Sequence, residues 1–193
     1  MDTSIKKNEL NRDNVVDFIL QLFENRGAEE YMGESVSMAQ HMEQSAACAA
    51  ADGAPEALVI ASLLHDIGHF VGDFPVEALE NGINNLHDDA GADFLAAYFP
   101  AEVTEPVRLH VAAKKYLCAV DNDYINRLSD ASINSLNVQG GPMTSDEVKN
   151  FEANPHHLAA VKTRYYDDDG KVSGLHIKPV KDYRDQLEAI LLP

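Results

Sequence analysis

The sequence predicts an all-α fold, and three observations carry that expectation. Apolar residues recur at helical spacing, as in Val15, Phe18, Ile19, Leu22 and Phe23. Helix-start residues stand ahead of such segments: Pro55 precedes the apolar run 57–64, and Thr144 stands three residues before Glu147. No stretch keeps the strict alternation of a half-buried strand, and no internal repeat is visible.

Taken in order, residues 1–11 are polar, and Asn11 or Asp13 can cap a first helix that ends near Gly27. Its apolar stripe is ordinary core scaffold. Gly33 marks a turn, and Ser35 can cap a second helix carrying Met38, His41, Met42 and the alanines up to Asp52-Gly53. A third helix is expected from Pro55 to His69, which puts His69 one turn after His65 on the same face. Residues 70–86 hold Gly72, Pro75, Gly82, Asn84 and Asn85 and read as an irregular loop, of a length that is often functional. His87 opens a helix through Phe94, Leu95 and Tyr98. Pro106 opens the next, carrying His110 and, four residues on, Lys114. A helix follows from about Tyr124 to Leu136, then a Gly/Pro loop over 139–143 and a short helix with a Thr144/Glu147 capping box. The helix after Pro155 ends in Arg164 to Gly170, residues 171–180 read as extended, and a last helix holds Tyr183, Leu187 and Ile190.

With 193 residues, 45% of them hydrophobic, the chain suits one domain with a substantial core. Residues 1–30 form an N-terminal segment with a scaffold helix, and residues 31–193 the core. A net charge of −17 argues against a nucleic-acid partner. It also means that an anionic substrate needs a local positive site. Cys48 and Cys118 make neither a disulfide framework nor a clustered thiolate site. The N-terminus has no secretory pattern, and no run of about 18 apolar residues suggests a membrane span. The expectation is a cytoplasmic protein with no membrane partner.

Candidate chemistry centres on His65-Asp66-Ile67-Gly68-His69, which ends the apolar run 57–64. Desolvating an unpaired imidazole and carboxylate costs several kcal/mol, and metal ligation offsets that cost. A salt-bridged helix terminus is the alternative. Five of eight histidines, His41, His65, His69, His87 and His110, fall on or beside predicted helices between positions 41 and 110. With Asp66 and a late carboxylate such as Asp167, they form a nitrogen and oxygen donor set that suits iron or manganese. There are more donors than one tetrahedral ion needs, which suggests two metals.

His41, His65-Asp66 and a late aspartate resemble the signature of the HD-domain superfamily. More closely, Tyr31-x-Gly-Glu34, His65 to His69, His110-Val-Ala-Ala-Lys114, Leu128 to Ser132, Gln139-Gly-Gly-Pro-Met143 and Arg164-x-x-Asp167 resemble the HD-domain mixed-valent diiron oxygenases that cleave organophosphonates. The likeness spans about residues 31–185. It implies an HD-domain helical bundle with two irons as an Fe(II)/Fe(III) pair and O2 as co-substrate. His41, His65, His87, His110 and Asp167 would be terminal ligands and Asp66 the bridge. Tyr31 and Glu34 would lie over the open iron positions, and His69 would touch the substrate. Lys114, Ser132, Gln139 and Arg164 would hold the phosphonate.

The reaction so implied is a four-electron oxidation of a 1-hydroxy-2-(amino or trimethylammonio)ethylphosphonate to phosphate and glycine or glycine betaine, with the trimethylammonio substrate favoured. Glu34, Tyr98, Tyr165 and Tyr166 are candidates for the ammonium end. Simpler readings exist for single residues: Lys114 as a surface lysine, Arg164 paired with Asp167 or Asp168, Tyr31 as a packed aromatic. Two other functions share the His-Asp dyad: a metal-dependent phosphohydrolase and a non-catalytic binding module.

Overall fold

A computed structural model describes residues 5–31, 33–72 and 84–193. It carries ten α-helices among those residues, and the only strand-like pairing is an isolated bridge between Glu30 and Ser37. The all-α expectation holds. The helices are α1 (Val15–Arg26), α2 (Met38–Ala51), α3 (Glu56–Leu64), α4 (Gly68–Val71), α5 (His87–Leu95), α6 (Ala101–Val120), α7 (Asp130–Val138), α8 (Ser145–Glu152), α9 (His157–Asp169) and α10 (Arg184–Ala189). None of them is long and apolar enough to cross a membrane.

Helix α3 is the centre. Every residue from Leu58 to Leu64 is buried, as its apolar composition on all faces requires. It packs against α2, α6 and α9, which also pack on one another: α6 on α9 and α2 on α9. Helix α5 lies along α6, and α4 along α5. The buried face of α1 (Val15, Val16, Phe18, Ile19, Phe23) belongs to the same hydrophobic cluster as Ile60 and Leu63. A smaller cluster of Leu117, Tyr124, Leu128 and Leu136 closes the far end of α6.

Several element boundaries differ from the sequence expectation. Ser37, not Ser35, caps α2, because Gln40 three residues on completes a reciprocal capping box. Neither Asn11 nor Asp13 is the cap residue of α1; Asn14 is, with no side-chain cap bond. Helix α6 starts at Ala101, so Pro106 lies inside it. The segment 124–136 splits into a 3-10 turn (Tyr124–Arg127) and α7, capped by Ser129. Residues 171–179 make no strand. The Thr144/Glu147 box caps α8 as expected. Most of the irregular segment 70–86 lies outside the described residues, but Phe70 and Val71 still belong to α4.

The most consequential difference is at the His-Asp motif. No single helix runs from Pro55 to His69. After Leu64 the chain tightens into i→i+3 bonds: Ile67 N–H to Leu64 O (3.0 Å), His69 N–H to Asp66 O (3.0 Å) and Phe70 N–H to Ile67 O (2.9 Å). At about three residues per turn, His69 is rotated roughly 120° from His65 and no longer shares its face. Arg26 of α1 fastens this turn by donating to the carbonyls of His69 (2.9 Å) and Phe70 (2.8 Å).

Gly68 permits the close approach of α4 to the start of α5. A Cβ there would sit 1.8 Å from the His87 carbonyl oxygen. Gly68→Ala should therefore cost about 3 kcal/mol or more, since only backbone movement can relieve the clash. Thermal denaturation should show Tm falling by roughly 6 °C or more; an unchanged Tm would contradict this packing.

Candidate metal centre

Four imidazoles and two carboxylates converge in the interior. His41 comes from α2, His65 and Asp66 from the turn after α3, His87 from the first position of α5, His110 from α6 and Asp167 from α9. All six are at most 4% exposed. Their order is specific. The Nε2 atoms of His41 and His65 face each other at 3.0 Å, and those of His87 and His110 at 3.2 Å. Asp66 lies between the pairs. Its Oδ2 is 3.6 Å from His41 and 3.4 Å from His65, while its Oδ1 is 3.3 Å from His87 and 3.4 Å from His110. Asp167 Oδ1 joins the first pair, 3.4 Å from His41 Nε2.

The opposite edge of each ring is tied down. Nδ1–H donates to Gly170 O in His41 (3.0 Å), to Ser62 O in His65 (2.8 Å), to Asn85 Oδ1 in His87 (2.8 Å) and to Val107 O in His110 (2.7 Å). Each Nε2 in a neutral ring is thereby left as a lone pair. Two lone pairs meeting at about 3 Å repel unless a cation lies among them. Asp66 Oδ2 and Asp167 Oδ1 are buried with no hydrogen-bond donor. Such atoms are costly unless something positive satisfies them. The donor set thus fits two metal ions: His41, His65 and Asp167 for one, His87 and His110 for the other, with one Asp66 oxygen facing each. The absence of thiolate suits a borderline or hard metal.

Charges within the cluster balance one another: burial lowers the His65 pKa, but the Asp66 charge overrides it and raises it to about 9. Burial pushes the Asp66 carboxyl up, but the surrounding imidazoles, His65 foremost, hold it well below the usual carboxylate range. Burial likewise opposes ionisation of Asp167, and Arg164 followed by Lys171 overcomes it. Tyr31 lies flat on His41, ring centroids 3.9 Å apart, and burial followed by the Asp66 charge keeps its phenol protonated.

A cavity opens beside the cluster, lined by Tyr31, Glu34, Asp66, His87, His110, Lys114, Ser132, Gln139, Arg164, Asp167 and Lys171, among others. Glu34 Oε1 and Gln139 Oε1 are buried there without partners. Lys114 is buried, not a surface lysine, and its Nζ donates to Ser135 Oγ at 2.7 Å. Burial, then the Arg164 charge, lowers its pKa to about 7. Arg164 does pair with both acids: Nη1 donates to Asp167 Oδ2 at 2.6 Å and Nη2 to Asp168, while Nε donates to the Tyr124 hydroxyl at 3.0 Å.

His69 does not line the cavity. It stacks on His87 with centroids 4.2 Å apart, within 4.8 Å of Asp66 and His87 by a ring nitrogen. Burial, followed by repulsion from His87, pushes its pKa down to about 3, so the ring is neutral. Three of the four residues considered for an ammonium group lie elsewhere. Tyr98 packs on Phe94, Tyr165 on Tyr124 and Arg127, and the Tyr166 hydroxyl donates to Asp52 at 2.6 Å. Arg164 and Asp167 share one face of α9 at i, i+3, and positions 165 and 166 turn away from it. Only Glu34 of that group lines the cavity.

Sequence reasoning missed Asn85, Ser135, Tyr124 and Lys171, whereas Asp168 is the partner of Arg164 that the sequence offered. Asn85 orients two histidines at once, since its Nδ2 also lies 3.4 Å from His69 Nδ1. Its only sequence signal was its place two residues before His87.

A family model described as "HD domain" matches residues 31–125. The chain is 49% identical over 163 residues to a [1-hydroxy-2-(trimethylamino)ethyl]phosphonate dioxygenase (glycine-betaine-forming) of Leisingera caerulea, covering 84% of this chain and 83% of that one. It is 41% identical over 174 residues to a hydroxymethylphosphonate dioxygenase of Gimesia maris, covering 90% and 86%. An uncharacterised protein of Acanthamoeba polyphaga mimivirus is 33% identical over 173 residues, covering 88% and 78%. The chain belongs to the HD-domain family that includes these two phosphonate dioxygenases.

Proposed function

We propose that this protein is a diiron dioxygenase that cleaves the C–P bond of 1-hydroxy-2-(trimethylammonio)ethylphosphonate. The balanced reaction takes R–CH(OH)–PO3H2 and O2 to R–COOH and phosphate, with no external reductant. The observation that carries the reading is Asp66, with one oxygen toward each facing pair of histidines, beside a cavity lined by Lys114, Arg164 and Lys171. The 49% identity to the glycine-betaine-forming relative supports the trimethylammonio substrate. We infer one domain, with residues 31–193 as the core and α1 as its scaffold.

His41, His65, His87, His110, Asp66 and Asp167 would hold two irons in the Fe(II)/Fe(III) state. Bound there, the pair supplies O2 activation and a lowered pKa for the substrate hydroxyl. The protein's own groups do the rest. Lys114, Ser132, Gln139 and Arg164 form the phosphonate seat. Arg164 has most of its N–H groups committed to Tyr124, Asp167 and Asp168, so it serves less as a two-toothed clamp on the anion than as a fixed charge behind it. Tyr31, neutral and stacked on His41, covers the first cluster and leaves as substrate enters. Glu34 offers a carboxylate oxygen without a hydrogen-bond partner to a quaternary ammonium, which needs charge rather than donors. His69 stays neutral and keeps a donor near His87. Burial of the centre excludes bulk water and fixes C1 near the reacting site.

The direct test is aerobic turnover by iron-loaded protein. Phosphate and glycine betaine should appear in equal amounts with one O2 consumed for each; phosphate release that proceeds without O2 would make the protein a hydrolase instead. Arg164→Ala should weaken metal affinity as well as raise KM, because Arg164 orients the metal-facing Asp167; such outer partners are typically worth about 10–100-fold in affinity. Unchanged metal affinity, measured by chelator competition, would remove Arg164 from that role. Anion binding should draw a proton onto Lys114 above its pKa of about 7. Affinity for methylphosphonate should therefore fall as pH rises past 7, and calorimetry in buffers of different ionisation heat at pH 8 should detect proton uptake. Loss of that extra uptake in Lys114→Met is expected; an identical uptake in both proteins would contradict the assignment.

A further inference from the structure

The phosphonate seat as described is short of free positive charge. Arg164 faces Asp167 and Asp168, and Lys114, whose Nζ donates to Ser135, adds one charge once an anion draws a proton onto it. A phosphonate dianion asks for more, and one further cation on the cavity wall answers.

Lys171 follows directly after α9 and is anchored through both neighbouring residues. Gly170 O accepts the Nδ1–H of His41 (3.0 Å). On the other side, the Gln44 side chain accepts from Val172 N–H (2.9 Å) and donates to Val172 O (2.9 Å). A Cβ at Gly170 would lie 2.4 Å from Ser45 Oγ, so the segment sits hard against α2. The anchoring aims the lysine inward: its side chain is only 12% exposed. Nζ lies 3.1 Å from Ser132 Oγ, the oxygen that Arg164 Nη2 reaches at 3.4 Å. It is also 3.6 Å from Asp167 Oδ1 and 5.7 Å from the centre of the Tyr31 ring. Two cations from separate elements therefore meet at one hydroxyl inside the cavity.

We propose that Lys171 is a direct phosphonate-binding residue, supplying the charge that Arg164 spends on its own carboxylates. This rests on the functional reading above. Asp167 Oδ1 is its only carboxylate within 4 Å among the described residues, and that oxygen faces His41 and His65. Once that oxygen is committed to a metal, an anionic oxygen beside Ser132 is the partner left to Lys171. Ser132 Oγ and the backbone tether through Gln44 and Val172 hold it in place without help from Tyr31, which leaves as substrate enters.

The test is calorimetric binding of methylphosphonate to iron-loaded wild type, Lys171→Met and Lys171→Arg, with KM, kcat and iron content measured alongside. The expected result is a Kd and KM at least tenfold higher in Lys171→Met, with kcat within about threefold and iron content unchanged, and substantial recovery in Lys171→Arg. A Kd in Lys171→Met equal to wild type overturns the assignment, as does an equal loss in the arginine variant accompanied by lost iron. If wild type binds methylphosphonate and Lys171→Met does not, yet no hydroxyphosphonate is oxidised, the functional reading fails and the anion site stands. If wild type binds no methylphosphonate, both fail.

Discussion

Asp66 is the group around which the interior is arranged. A single carboxylate, 1% exposed, presents one oxygen to His41 and His65 and the other to His87 and His110. Those four rings come from four different segments, so the charge of Asp66 ties α2, the turn after α3, α5 and α6 to one point. Each ring is fixed from behind by a backbone carbonyl or by Asn85, which fixes its proton on the far nitrogen.

In the function proposed here the metal-facing cluster and the phosphonate seat would share residues instead of merely adjoining. Asp167 turns one oxygen to His41 and the other to Arg164. Arg164 in turn reaches Ser132, and Ser132 is also reached by Lys171, whose backbone neighbours are bonded to α2 beside His41. A displacement of α9 would disturb both functions together. This arrangement also resolves the problem set by a net charge of −17. Lys114, Arg164 and Lys171 line one buried cavity, where screening is weak, so basic groups are concentrated there despite the acidic exterior.

Much of the site was legible along the chain because metal chemistry restricts residue choice. Histidine and aspartate beside an apolar run suit a metal or a salt-bridged helix terminus, and His87 and His110 extended the set beyond one ion's needs. That Lys114, Ser132, Gln139 and Arg164 line one cavity could be expected only jointly, since they are unremarkable one by one. Lys171 and Asn85 were not legible, since each sits in an irregular segment where periodicity carries no information. Tyr98, Tyr165 and Tyr166 had a suitable chemical type and the wrong direction.

By itself the sequence determined the helical character, the apolar α3, the identity of the candidate ligands and the absence of thiolate among them, because composition and local spacing decide these. Tertiary structure decided which histidines pair, which oxygen of Asp66 faces which pair, and that Arg164 serves Asp167 before any anion. It also decided that His69 leaves the face of His65, since the turn tightens where Gly68 meets the His87 carbonyl. The reason is common to all of these: periodicity defines a face on one helix, whereas convergence depends on how separate helices cross, and that is set by long-range packing.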